Sequence, residues 1–136
     1  MNLLSPLPDA RAAEQVATLL TRPGLRVERI VSLGQASPPG FWYDQAEGEW
    51  VLLLAGAAKL RFADEPEARL LRPGAWLDIA PHRRHRVDWT APATPTVWLT
   101  VLGKTATPLR ASLSGAMRNP FCRKARCWRS KGCGQA

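Results

Sequence analysis

Three segments of the sequence carry the side chains best suited to bind a metal or a polar ligand: residues 42–45, Glu49, and residues 81–85. Together they contain both histidines of the chain, His82 and His85. A carboxylate, an amide or second carboxylate, and one or two imidazoles suit iron, manganese, nickel or zinc. All the cysteines lie after residue 121. The pattern therefore predicts a small oxygen and nitrogen site without thiolate ligands.

The backbone around residues 42–45 decides which of its side chains join such a site. In an extended strand, residues two apart share a face. Either Trp42 with Asp44, or Tyr43 with Gln45, therefore points inward. The carboxylate of Glu49 and the imidazole of His85 would reach the same site from neighbouring strands. Asp44 and Gln45 are equally well explained as turn formers after the Pro-Pro-Gly segment 38–40.

The elements that must position these groups are mostly strands. Ala12, Leu19 and Leu20 lie four, three and four residues from Val16, behind Asp9, and this pattern predicts one short N-terminal helix over residues 9–20 that stops at the Pro-Gly pair 23–24. Seven short strands are predicted after it, at residues 26–33, 49–55, 58–62, 68–71, 76–80, 84–89 and 96–102. Glycine and proline turns separate them, with no helix between. This arrangement favours an all-β antiparallel sandwich or barrel.

Charge divides the chain into a neutral body and a basic tail. Residues 1–102 contain 11 basic and 11 acidic side chains, so the net charge of +8 comes from the eight basic residues of 103–136. We expect an N-terminal segment 1–24, a β domain 25–102, and an irregular extension 103–136, whose abrupt Arg, Cys, Trp and Gly bias suggests an altered or read-through reading frame. Resequencing the 3′ end of the gene would test this origin.

The same composition limits partners and location. No apolar run reaches the roughly 18 residues of a membrane span, and the N-terminus lacks a cationic start, so we predict a cytoplasmic protein with no membrane contact. Nucleic-acid binding by the tail ranks last, because its three cysteines, with no histidine nearby, leave a zinc knuckle one ligand short. Edge strands and exposed tryptophans favour a homodimer.

The spacing of the candidate site residues resembles the cupin family. Glu49, six residues and Gly56 reproduce the second part of the first cupin motif. The segment from Gly74 to His85 resembles the second motif, with its proline displaced by one place to Pro81. The resemblance covers roughly residues 34–101 and implies an antiparallel double-stranded β-helix, or jelly-roll, barrel.

The resemblance also implies which residues would hold a metal. The metal-binding roles that the resemblance implies carry over to Glu49 and His85. The histidine pair of the first motif is replaced by Trp42 and Asp44 or by Tyr43 and Gln45, so Gln45 or Asp44 would be the substitute third ligand. His82 lies in a turn and is expected to be a solvated loop residue.

The remaining candidates concern the ligand. Trp42 is predicted as a pocket wall, with Tyr43, His82 and Arg84 beside it as ligand-binding residues. Arg83, Arg84 and Arg86 form a basic cluster that suggests an anionic small molecule, although a solvated strand face explains them equally well. The sequence thus predicts a small-molecule-binding protein with a divalent metal, whose chemistry, if any, would be isomerase, dioxygenase or lyase-like. The alternative is a metal-free binding or sensing module.

Overall fold

The computed structural model describes residues 1–104, which form eight strands and no helix. The strands are β1 (Gln15–Arg22), β2 (Leu25–Ser32), β3 (Gly48–Ala55), β4 (Ala58–Phe62), β5 (Arg69–Leu71), β6 (Trp76–Ile79), β7 (His85–Thr90) and β8 (Thr96–Gly103). Seven of them lie within one residue of the predicted bounds. Of the extension expected at residues 103–136, residues 105–136 lie outside the described residues.

The strands form two antiparallel sheets. One has five strands in the order β1-β2-β8-β3-β6, and the other has three in the order β5-β4-β7. The inward residues of β3 and β8 pack against those of β4, with Leu53, Phe62 and Trp98 in one buried cluster. Alternation along each strand sends every second side chain into this space. The two sheets therefore enclose a shared interior.

The predicted N-terminal helix is wrong. Residues 15–22 form β1, which pairs with β2 through a hairpin turned at Pro23 and Gly24. Gly24 has a φ of 73°, a left-handed conformation that glycine adopts without strain. The apolar spacing fitted a helix, but a lone helix of this length is marginal, whereas pairing with β2 satisfies the backbone hydrogen bonds of the segment. Leu19 and Leu20 stay largely exposed in the result.

The chain before β1 covers part of the outer face of the larger sheet. Ala10 is buried against Val31 and Val97, with Leu7 packed beside them. Arg29 Nη1 donates to the carbonyl oxygen of Leu3 at 3.4 Å. No helix of residues 1–104 has the length and apolar character needed to cross a membrane.

Candidate functional site

Glu49 and His85 meet in the interior between the two sheets. Glu49 is the first inward side chain of β3, and His85 begins β7 in the opposite sheet. Glu49 Oε2 and His85 Nε2 lie 3.4 Å apart, and the two side chains are 13% and 7% exposed. The structure thus brings together the two residues that the sequence motifs singled out.

A backbone carbonyl fixes the tautomer of His85. The imidazole Nδ1 lies 2.9 Å from the carbonyl oxygen of Arg83. A carbonyl oxygen only accepts hydrogen bonds, so Nδ1 carries the hydrogen. In the neutral ring, Nε2 therefore presents a lone pair to Glu49. This is the arrangement in which a metal-binding histidine is oriented by its other nitrogen.

Glu49 Oε2 has no hydrogen-bond partner although it is buried. A carboxylate oxygen that faces the lone pair of a neutral imidazole meets electrostatic repulsion rather than a bond, and burial removes the water that would offset it. A proton on Nε2 or a cation between the two atoms reverses the sign of this interaction. A carboxylate oxygen and an imidazole nitrogen are donor types that zinc and similar divalent cations take in proteins, so Glu49 and His85 would be suited to hold such an ion.

The side chain of Arg83 anchors the turn that holds His85. Its guanidinium carbon lies 3.6 Å from the centre of the Phe62 ring. Its Nη2 donates to Asp64 Oδ1 and Glu65 Oε1, each at 3.0 Å. Since Phe62 is buried in β4, these contacts tie the carbonyl that orients His85 to the core. Arg83 is thus engaged in structure rather than free to bind an anion.

Glu49 and His85 border a cavity of about 440 Å³ between the sheets. Tyr43 and Gln45 line it as well, as expected for one of the two inward pairs predicted at residues 42–45. The full lining is Glu14, Val16, Arg26, Glu28, Ile30, Tyr43, Gln45, Ala46, Glu47, Glu49, Val51, Leu60, Ile79, His85, Val87, Trp98, Thr100 and Leu102. Its size suits a small molecule.

Tyr43 is held against His85. Its backbone exchanges hydrogen bonds with His85 at 2.7 and 3.2 Å, and the two rings stack with centroids 5.3 Å apart. Burial raises the pKa of the Tyr43 phenol, and the negative charges of Glu14 and Glu49 raise it further. The phenol therefore stays protonated at neutral pH and can donate a hydrogen bond to a ligand.

Asp44 and His82 lie together, but away from the cavity lining. His82 Nδ1 and Asp44 Oδ1 are 2.7 Å apart on exposed side chains. His82 follows Pro81 in a turn closed by a hydrogen bond from Arg83 N to Ala80 O, and its φ is 60°. Its position thus agrees with the expected solvated loop residue. Of the two predicted substitute ligands, Gln45 lines the cavity with Glu49 and His85, and Asp44 does not.

The remaining predicted ligand-binding residues lie outside the cavity lining. The guanidinium carbons of Arg84 and Arg86 lie 5.5 and 5.8 Å from the ring of Trp42. Arg86 also donates to Asp88 at 2.8 Å. Trp42 and these two arginines thus form a cluster outside the cavity lining.

Several cavity residues were missed by the sequence analysis. Glu14, Arg26, Glu28 and Glu47 line the cavity, and the first three lie in or just before the β1–β2 hairpin that was in part assigned to a helix. Alternation along β2 offered a signal, since Arg26, Glu28 and Ile30 share one face. Ser32, next on that face, donates to Glu14 Oε2 at 2.6 Å and accepts from Trp98 Nε1 at 3.2 Å.

Among residues 1–104, no three histidine, cysteine, aspartate or glutamate side chains are close enough to form a metal site by themselves. A site at Glu49 and His85 therefore needs the amide of Gln45 or non-protein ligands to complete it. Catalytic zinc sites commonly combine three protein ligands with a water or substrate.

Neither the protein-family models nor the curated proteins compared with this sequence gave a match. Solved structures did. A Ralstonia eutropha protein, provisionally described as a mannose-6-phosphate isomerase, is 46% identical, with a TM-score of 0.75 over 77% of this chain and 97% of the other. A cupin superfamily protein from Desulfitobacterium hafniense is 15% identical, with a TM-score of 0.63 over 76% and 89% of the two chains. A RmlC-like cupin from Shewanella frigidimarina is 14% identical, with a TM-score of 0.56 over 68% and 77%.

Proposed function

Because the chain belongs to the cupin superfamily, we propose that its jelly-roll barrel binds a small polar molecule beside a divalent cation held by Glu49 and His85. Gln45 supplies the third protein ligand. One observation carries this proposal: the buried Glu49 Oε2 has no hydrogen-bond partner and lies 3.4 Å from an imidazole nitrogen.

The cation would supply Lewis acidity, which polarises a carbonyl or acidifies a bound water. The chain's own residues prepare the rest of the site. The Arg83 carbonyl keeps the Nε2 lone pair of His85 directed at Glu49. Tyr43 covers one face of the imidazole and offers a protonated hydroxyl to the ligand. Val51, Leu60 and Ile79 limit water around it.

The description of the Ralstonia relative makes sugar phosphates one substrate class to consider. The residues around the cavity do not favour a sugar phosphate as the substrate of this chain. None of the arginines at residues 83–86 lines the cavity, and Arg83 is bound to Asp64 and Glu65. The arginines that suggested an anionic ligand thus do not supply the phosphate site that a sugar phosphate requires.

Elemental analysis of the full-length, tag-free protein by plasma mass spectrometry tests the metal. We expect near-stoichiometric cation in the wild type, loss in His85→Ala and Glu49→Gln, and retention in His82→Ala. His82 is the matched control because it is the other histidine and is exposed. Metal retained equally by all four proteins would place it elsewhere in the chain and overturn the proposal.

A metal-free binding module is the second candidate. It is favoured by the replacement of the first-motif histidines by Tyr43 and Gln45. Absence of metal after reconstitution with iron, manganese, nickel and zinc, together with ligand binding in the cavity, would establish it.

The homodimer expected from the sequence remains a proposal. Trp76 on β6, at one edge of the larger sheet, is 60% exposed and stacks on Trp50 with centroids 6.2 Å apart. Such rings commonly anchor interfaces. Sedimentation velocity of the wild type and Trp76→Ala should show a dimer that the substitution weakens; a monomeric wild type would contradict this.

A further inference from the structure

We infer that the cavity selects a small polar ligand bearing a protonated amine and rejects its phosphorylated counterpart. This inference rests on the proposed function of the same cavity as a small-molecule site. It follows from the charges that line the cavity and from a hydroxyl group there that the fold leaves unpaired.

Four carboxyl groups line the cavity, from Glu14, Glu28, Glu47 and Glu49. The only lysine or arginine among the described lining residues is Arg26. Its Nε donates to Glu28 at 2.6 Å, and its Nη1 lies 3.5 Å from Glu47. The formal charge of the lining is therefore negative, and its single guanidinium is already engaged.

The carboxyl groups occupy different parts of the cavity lining: Glu28 and Glu47 lie at Arg26, and Glu49 lies at His85. Glu14 is solvent exposed and precedes β1, whereas Glu49 is buried on β3. A divalent cation at Glu49 and His85, together with Arg26, would supply three positive charges against the four lining carboxylates, so the net formal charge of the lining would stay negative, at −1. Walls of one sign around a low-dielectric space concentrate the field and attract ligands of the opposite charge.

Thr100 gives an independent indication that a polar ligand belongs in this cavity. It lies on β8 between Trp98 and Leu102, with which it shares the cavity lining. The residue is 2% exposed, and its hydroxyl oxygen has no hydrogen-bond partner among the described residues. A buried hydroxyl without a partner is costly, and a ligand amine or hydroxyl can satisfy it.

The arginines near the site do not reverse this charge. Arg61 and Arg86 bind the two carboxylate oxygens of Asp88 at 2.7 and 2.8 Å. Arg83 binds Asp64 and Glu65. None of these three lines the cavity. A phosphate entering the cavity would meet carboxylates without gaining a free guanidinium.

Three probes on one carbon skeleton test the inference by isothermal titration calorimetry at low ionic strength: sorbitol, its cationic analogue glucamine, and sorbitol 6-phosphate. Full-length, metal-loaded protein is used. We expect glucamine to bind at least about tenfold more tightly than sorbitol 6-phosphate, with a preference that weakens as salt is added.

Glu28→Gln removes a cavity charge and releases Arg26, so it should narrow or invert this preference. Glu67→Gln removes the same charge from an exposed residue outside the cavity and should leave the preference unchanged. Binding of sorbitol 6-phosphate at least as tight as that of glucamine would overturn the inference, and so would no binding of glucamine.

The metal content of the same samples separates the two proposals. Metal present without a glucamine preference contradicts the charge inference alone. A glucamine preference in protein that takes up no metal contradicts the metal site and supports the charge inference.

Discussion

His85 Nε2 faces Glu49 Oε2 at 3.4 Å inside the protein, while its Nδ1 is hydrogen bonded to the Arg83 carbonyl. The carboxylate oxygen has no hydrogen-bond partner. Two acceptors directed at each other in a buried space destabilise the fold unless a cation or proton lies between them. Such an arrangement is characteristic of a site whose geometry serves a ligand rather than stability.

Replacing Glu49 by glutamine should therefore stabilise the metal-free protein. The amide nitrogen of glutamine can donate to His85 Nε2, which removes an unsatisfied contact worth about 1 kcal/mol or more. Urea unfolding of chelator-treated protein measures the change, with Glu67→Gln as the exposed control. A less stable Glu49→Gln variant would mean that Glu49 forms an ion pair with a protonated His85.

Arg83→Met should weaken metal binding although Arg83 is not one of the proposed metal ligands. Methionine keeps an apolar side chain over Phe62 but loses the bonds to Asp64 and Glu65 that anchor the His85-orienting carbonyl. We expect about tenfold weaker affinity, the lower end of effects from residues that orient metal ligands. Competition with a fluorescent chelator measures it. The matched control is Arg84→Met, because the Arg84 guanidinium lies over the ring of Trp42 and outside the cavity lining. An equal loss of affinity in both variants would contradict the anchoring role.

Gly56→Ala should destabilise the protein more than Gly24→Ala. Both glycines have positive φ, 82° and 73°. A Cβ at Gly56 would lie 2.6 Å from the Cα of Thr96 and 2.7 Å from Pro95 O, whereas nothing lies within 4 Å at Gly24. The strained backbone costs about 1–3 kcal/mol at either position, and the clash adds to it at Gly56 alone. Thermal unfolding of the two variants should reveal the difference in stability. Equal decreases in melting temperature would contradict the prediction and mean that the strand containing Thr96 shifts to admit the Cβ without an energetic penalty.

Glu65 should make the free energy of unfolding depend on pH in the acidic range. Its pKa is lowered by the hydrogen bond from Arg69 and further by Arg83. A carboxyl whose pKa is lower in the folded state stabilises the fold above its unfolded pKa of about 4.3, and this contribution is lost as pH falls through the folded pKa. The melting temperature of Glu65→Gln should therefore fall less than that of the wild type between about pH 5 and pH 3. The same slope in both proteins would contradict the prediction.

The sequence determined most of the strand pattern because turn residues and alternating apolar residues are local signals. The seven strands from β2 to β8 were predicted, and so was the approach of Glu49 to His85, but the two residues lie on opposite sheets and not on neighbouring strands. Those two residues were identified from the spacing of the motifs, which indicates the fold but not the contacts of each side chain.

Tertiary structure decided the first strand and the charge of the cavity. The apolar spacing of residues 9–20 fits a helix in isolation, and only the free edge of β2 converts the segment from Gln15 into a strand. The resulting hairpin brings Glu14, Arg26 and Glu28 to the cavity. Near His85, Arg83 binds Asp64 and Glu65, and Arg86 binds Asp88, all outside the cavity lining. Residue types give the total charge of the chain, but which charges share one enclosed space depends on the pairing of strands distant in sequence, and no local pattern encodes that pairing.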